Sequence, residues 1–465
     1  MRAAPGRGGR SGLRAVFRLA ALLVLFLVGD ALAPSMPAAV AASGGSYVGV
    51  ATCAGSTCHG RSEGDGKVVR QDEMRLWQEP SSKSGAHSRT YAVLASSRGQ
   101  KIATALNLGR ATEAPACLGC HATYAPAGLR GERFRLADGV GCESCHGAAS
   151  GWLAMHYAVP ATHAKNVANG LVPLEDPKTR ASVCLDCHFG SAKTGQFVTH
   201  SMMAAGHPRV SFEVDLFSAL QQHWDDNDKY RARKGKLDNL QLWAVGQAEA
   251  VQRSLSLFQR DNLASQGIYP EFYFYDCHSC HRGINDNPGR ERSFETNPGR
   301  PIPFGTPPYN DENIIMLSAV AKVLTPGQAG AFDAAASDFH AAMGKGRAET
   351  VAAAGRLQSA AAALSRALSS RGYGSDTAFT VISSIAGQAI SPRYTDYTGS
   401  AQAVMAVDTL LNSLVRQNRI TVGAAAGIRA SINRAYAAVA SPENYDPRAF
   451  RAALGSAAGA IGSLR

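Results

Sequence analysis

The sequence predicts a mainly α protein: a loop-rich part with interspersed helices over 46–285, then an α-helical bundle over 313–465. Three observations predict it. All ten cysteines and twelve of the thirteen histidines fall within 46–285. Residues 313–465 are Ala-rich, lack cysteine and repeat apolar side chains at helical spacing. Aromatic residues make up only 7% of the chain, which is thin for a core of this size. Something besides side chains is therefore expected to fill part of the first half.

The first element, 1–42, reads as a secretory signal peptide. Arg2, Arg7, Arg10, Arg14 and Arg18 precede the apolar run LAALLVLFLVG, and PAAVAASGG supplies small residues for cleavage after Ala41 or Ala42. The apolar run falls short of the roughly 20 residues of a membrane span, which disfavours an uncleaved anchor. A lipid anchor is disfavoured too, because the first cysteine, Cys53, lies far beyond the run. The expected location is the periplasm, soluble or peripheral. The formal charge is +11. Removing five arginines and Asp30 leaves about +7. Export, and the lack of a Lys/Arg cluster interleaved with aromatics, argue against a nucleic-acid partner.

The second element, 46–285, carries the chemistry. Eight cysteines lie in four C-x-x-C-H motifs: CLGCH (Cys117, Cys120, His121), CESCH (Cys142, Cys145, His146), CLDCH (Cys184, Cys187, His188) and CHSCH (Cys277, Cys280, His281). Random placement would give on the order of 0.006 such motifs in a chain of this composition. Each thiol of such a motif adds to one haem vinyl group, and the adjoining His becomes the proximal iron ligand. The two cysteines left over stand in CAGSTCH, Cys53 and Cys58 before His59, with four residues between them instead of two. Ala54, Gly55, Ser56 and Thr57 are small enough to loop out. Disulfides suit an exported protein, and zinc could take cysteine pairs, but neither requires a His after every second cysteine. With all ten cysteines used in this way, five covalently bound haem c groups are expected.

Five proximal histidines leave His87, His156, His163, His200, His207, His223, His278 and His340. A low-spin electron carrier needs a second strong ligand on each iron, whereas an open position points to small-molecule chemistry. The supply permits five bis-His haems. His278 sits between the cysteines of its own motif, and His340 lies outside the cysteine-bearing region, where a structural role is expected. The leading expectation is electron transfer from haem to haem. Ten propionates and five ferric cores would bring the net charge to about +2, so strong steering toward acidic surfaces is not expected.

The run from SGAHSRTYAVL (84–94) through CLGCHAT and GVGCESCHGAASGWLAMH (139–156) to CLDCHFG resembles the cytochrome c-554 domain family. HSMMAAGHPRVSFEVDLFSALQQHW (200–224) is similar to its larger bacterial members, exported multihaem cytochromes with a first C-x4-C-H-G motif and a late D-C-x-x-C-H motif; YDCHSCH (275–281) matches the latter. The resemblance covers about 46–285 and implies distal ligands at His87, His156, His200, His207 and His223, with His163 in reserve. It implies redox proteins as partners and is compatible with association with a membrane electron-transport complex. The founding cytochrome of the family has four haems, and this chain offers five motifs. A more distant likeness, to pentahaem nitrite reductases and hydroxylamine-oxidising enzymes, supports an alternative: a redox enzyme acting on nitrogen or sulfur oxyanions or hydroxylamine at one open haem. The lysine-ligated motif common in the former and the eight motifs of the latter are not present.

Residues 286–312 carry Pro288, Pro298, Pro301, Pro303, Pro307 and Pro308 and read as a linker or extended wrap. In 313–465, Thr325-Pro326-Gly327-Gln328 reads as an N-cap with Pro at the first helical position. Apolar stripes follow at Phe332, Ala336, Phe339 and Met343; at Leu357, Ala361, Leu364 and Leu368; and at Val404, Val407, Leu411 and Leu414. Ile428, Ile432 and Val439 continue the pattern, and Asp446-Pro447 opens a last helix with Phe450, Leu454 and Ile461. The bundle is expected either to shield the haem region or to serve in docking or sensing; the sequence leaves both open.

Overall fold

Each apolar stripe of the second half becomes the buried face of a helix. In the computed structural model, which describes Met1 and residues 45–465 apart from 83, 210, 265–268, 283–299, 304, 375 and 390–395, the longer helices are α1 (Pro177–His188), α2 (Asn239–Phe258), α3 (Glu312–Leu324), α4 (Pro326–Ala342), α5 (Arg347–Ser369), α6 (Thr377–Ala389), α7 (Tyr397–Arg416), α8 (Val422–Ala438) and α9 (Pro447–Gly462). Among the described residues there is no β-strand, only isolated bridges such as Tyr275 to Tyr309. The expected signal peptide and most of the Pro-rich segment lie outside the described residues.

The stripe residues Phe332, Phe339, Leu357, Leu364, Val404, Leu411, Ile432, Phe450 and Leu454 are all fully buried. Asp446 caps α9 by accepting from the backbone N–H groups of Arg448 and Ala449. The start of α4 differs in detail from the expectation. Pro326 does open the helix, but the Thr325 hydroxyl donates back to Ala321 O of α3 instead of capping forward. The two helices follow each other so directly that the hydroxyl still belongs to the last turn of α3.

α2 joins the two halves. It comes from the cysteine-bearing part, yet Trp243, Leu255, Leu257 and Phe258 lie in the same apolar core as the C-terminal helices. It packs along α5 and also against α3 and, more lightly, α7. Phe258 stands among Phe274, Tyr309 and Phe339, edge to face at 5.4–5.6 Å, an arrangement that satisfies the ring quadrupoles. Beside this knot, Arg300 is buried between Asp311 (2.8 Å) and Asp396 (2.9 Å), and Asp311 also faces His340 Nε2 at 3.3 Å. Residues 45–465 form one compact unit.

The cysteine-bearing part is built differently. Its helices are short, its apolar clusters are small, and a cavity of about 700 Å³ opens within it. That is the thin core expected where a prosthetic group supplies the apolar mass. Among the described residues no helix is long and apolar enough to cross a membrane.

Candidate functional site

The Cys–His motifs sit on tight turns that aim the histidine. CLGCH and CLDCH each end a helix, Pro115–His121 and α1. In CESCH, His146 N–H donates to Cys142 O (2.9 Å), and in CHSCH, His281 N–H donates to Cys277 O (2.8 Å). The longer CAGSTCH closes in the same way: His59 N–H reaches back to Cys53 O at 3.2 Å. The extra residues bulge into their own turn, with Cys58 N–H and Gly60 N–H both donating to Gly55 O. The stretched spacer thus keeps the bond from His to the first Cys that the short motifs make.

All ten cysteines are free of disulfides. Burial pushes the Cys184 thiol up to about 11 and Cys145 up to about 12. Among the described residues no group of three or more His, Cys, Asp or Glu side chains is placed to hold a bare metal ion.

The histidines come in five facing pairs. Ring centres lie 6.0 Å apart for His59 and His156, 6.0 Å for His188 and His87, 6.2 Å for His121 and His207, 6.2 Å for His146 and His223, and 6.1 Å for His281 and His200. Each pair joins one motif histidine to one of the five distal candidates. A metal–imidazole bond is about 2 Å and each ring centre lies about 1 Å behind its nitrogen, so one ion between two imidazoles separates their centres by about 6 Å. The five pairs fit axial ligation of five irons, each needing two protein donors and four from a macrocycle.

The other ring nitrogen is engaged on several of the facing histidines. Nδ1 is engaged by Thr90 O on His121 (2.9 Å), Pro208 O on His207 (2.8 Å), Gln221 O on His223 (2.9 Å) and Glu73 Oε2 on His59 (2.9 Å). That leaves Nε2 toward the facing ring and sets the tautomer. Asn166 Nδ2 lies 3.3 Å from His156 Nδ1 while its Oδ1 is buried without a partner. Turned over, the amide places Oδ1 there to accept the Nδ1 proton. The spares are committed elsewhere: His163 Nε2 to Glu175 (2.5 Å), His340 Nε2 to Asp311, and His278 Nδ1 to Pro442 O (2.6 Å). Burial holds His146 down at about 3 and His188 at about 4, and lowers His87, His156, His207 and His223, so these imidazoles are neutral with a lone pair to give.

The attachment turns also lie against one another. Cys53 is within hydrogen-bonding reach of Cys142, and Cys120 of Cys187. Cys145 feels both Cys184 and Cys187. The turns therefore run in space as 117/120, 184/187, 142/145 and 53/58. The cavity is lined by the pairs His59/His156 and His146/His223 together with Trp77, Trp152 and Trp224. The fifth turn, 277–281, rests on the bundle: Asp276 accepts from the Thr398 N–H in the first turn of α7 at 3.1 Å, and His278 packs on Tyr445.

Sequence reasoning missed Glu73, Asn166 and Glu143. Glu143, between the cysteines of CESCH, is buried and accepts N–H groups of Val48 (2.9 Å), Gly49 (2.9 Å) and Ala149 (2.7 Å). It pins the segment leading into Cys53 to the neighbouring motif. Nothing in the linear pattern marks these residues, because each acts on a motif other than its own or on a histidine at no fixed spacing.

Cysteine-tethered turns whose histidines face second imidazoles are the donor set of a c-type cytochrome, a protein of electron transfer. Residues 53–147, which hold three of the five motifs, match the family described as cytochrome c554 and c-prime. No match was found among curated proteins or among solved structures.

Proposed function

We propose that this is an exported, periplasmic multihaem cytochrome that passes electrons through five covalently bound, bis-His haems between redox proteins, one of them a membrane electron-transport complex. The carrying observation is that each of the five motif histidines faces a second imidazole at 6.0–6.2 Å. Haem c, when bound, supplies a one-electron iron couple. The chain supplies the rest. The cysteines would tether each haem, the paired imidazoles would ligate its iron, and the packed turns set neighbouring attachment sites side by side. Two strong ligands on each iron leave no position for nitrite or hydroxylamine, which favours a carrier over an oxyanion enzyme.

Intact mass and pyridine haemochrome should give five haems per chain, and ferric EPR should show only low-spin signals, unchanged by nitrite, hydroxylamine or cyanide. A high-spin signal that shifts with those ligands would overturn the carrier reading in favour of an enzyme. Four haems with Cys53 and Cys58 as thiols would overturn the count.

A further inference from the structure

We propose that Glu73 is a positioning residue that lowers the reduction potential of the haem attached at Cys53 and Cys58, making it the last of the five to accept an electron. This rests on the five-haem reading above. Glu73 Oε2 lies 2.9 Å from His59 Nδ1, with the Glu73 side chain only 16% exposed. The contact is held from both sides. Met74 N–H donates to His59 O (2.9 Å), and Asp72, fully buried just before Glu73, is clamped by Arg70 (3.1 Å) and Arg75 (2.7 Å). The short helix Glu73–Gln78 therefore cannot slide away from the motif.

Elsewhere, the ligand imidazoles whose Nδ1 bonds are described meet neutral groups: Thr90 O, Pro208 O, Gln221 O and the Asn166 amide. Among the described residues, the other carboxylate near a proximal ring is Glu443, 3.9 Å from His281 Nδ1. That is beyond hydrogen-bond range, and both side chains are more than half exposed. An ionised carboxylate accepting the Nδ1 proton makes the imidazole a stronger donor to iron and places a fixed negative charge beside it. Reduction adds one electron, taking the haem core from +1 to neutral and moving no proton. A nearby anion favours the charged, oxidised form and so lowers the potential. The site also lies at one end of the run of attachment turns, next to 142/145 through Cys53 and Cys142. A low-potential terminal site is where electrons leave toward a strongly reducing acceptor or arrive from a strongly reducing donor.

The test is an EPR-monitored redox titration, with dithionite as reductant, of the holoprotein and of Glu73→Gln and Glu73→Asp. Gln keeps an acceptor oxygen for Nδ1 but loses the charge; Asp keeps the charge. The expected result is that one low-spin signal, the last to be reduced in the native protein, moves to higher potential in Glu73→Gln. The other four should stay in place, and Glu73→Asp should remain closer to native than Glu73→Gln. Five haems with no component moved, or with all five moved together, overturns the proposal alone. Four haems with free Cys53 overturns the underlying reading and the proposal with it. If Glu73→Gln fails to mature, the native protein decides. One ferric signal with the reduced g-anisotropy of a carboxylate-bonded imidazole, persisting to the lowest potential, supports the proposal. Five signals without such a member overturn it.

Discussion

Histidines close together in the chain differ in what their ring nitrogens touch. His156 and His163 are seven residues apart, and both flank the CESCH motif. His156 turns Nε2 toward His59 and rests Nδ1 on Asn166, whereas His163 spends Nε2 on Glu175. His156→Ala should therefore convert about one haem in five from low spin to high spin and let it bind cyanide. His163→Ala should leave all five low spin. Ferric optical and EPR spectra of the two variants check this pair. Which histidines were available was legible from the sequence, because the motifs set a demand for five. Their partners were not, since spacing in the chain says nothing about the direction of a ring nitrogen.

At the scale of elements, the attachment turns are local and their docking is not. A C-x-x-C-H turn closes its own hydrogen bond, and CAGSTCH reproduces that bond across a longer loop, so the turn geometry follows from a few neighbouring residues. Holding two turns together takes residues such as Glu143, whose carboxylate binds three backbone N–H groups from two segments. Glu143→Ala leaves those buried donors unpaired and should cost about 3 kcal/mol of stability. Thermal unfolding of the holoprotein would show a lowered midpoint with the haem count unchanged. The bundle helices were legible because their stripes repeat at 3.6 residues and their starts carry Pro or Asp. The Thr325 hydroxyl was misread as a forward cap because the preceding helix could not be seen to end at that residue.

Across the whole molecule, α2 is where the cysteine-bearing part and the bundle share one core. Deleting 313–465 would expose Trp243, Leu257 and Phe258, and the truncated chain should be poorly soluble and readily cut within α2 in limited proteolysis. Arg300 compensates two buried carboxylates; Arg300→Ala should destabilise by about 3–5 kcal/mol, read as a fall in the unfolding midpoint. Glu213 is pushed up to about 8 by burial and by Asp215, and Asp276 in the same direction by burial and Asp396. Folded, these groups keep protons that the unfolded chain has already lost above about pH 4. Stability should therefore fall as pH rises from about 7.5, above the range in which free imidazoles titrate, through about 8, and then level off. Thermal melts across that range check the sign; a rising midpoint would contradict it.

The sequence by itself determined the c-type haem chemistry, the number of attachment motifs, the set of available histidines and the helical second half. Those features depend on bonds between near neighbours or on a repeating period. The tertiary structure alone decided which imidazole faces which and the spatial order of the attachment turns. It alone showed that α2 belongs to the bundle's core and that a carboxylate fourteen residues away sits on His59. These are contacts between distant segments, set by packing, and no local pattern encodes them.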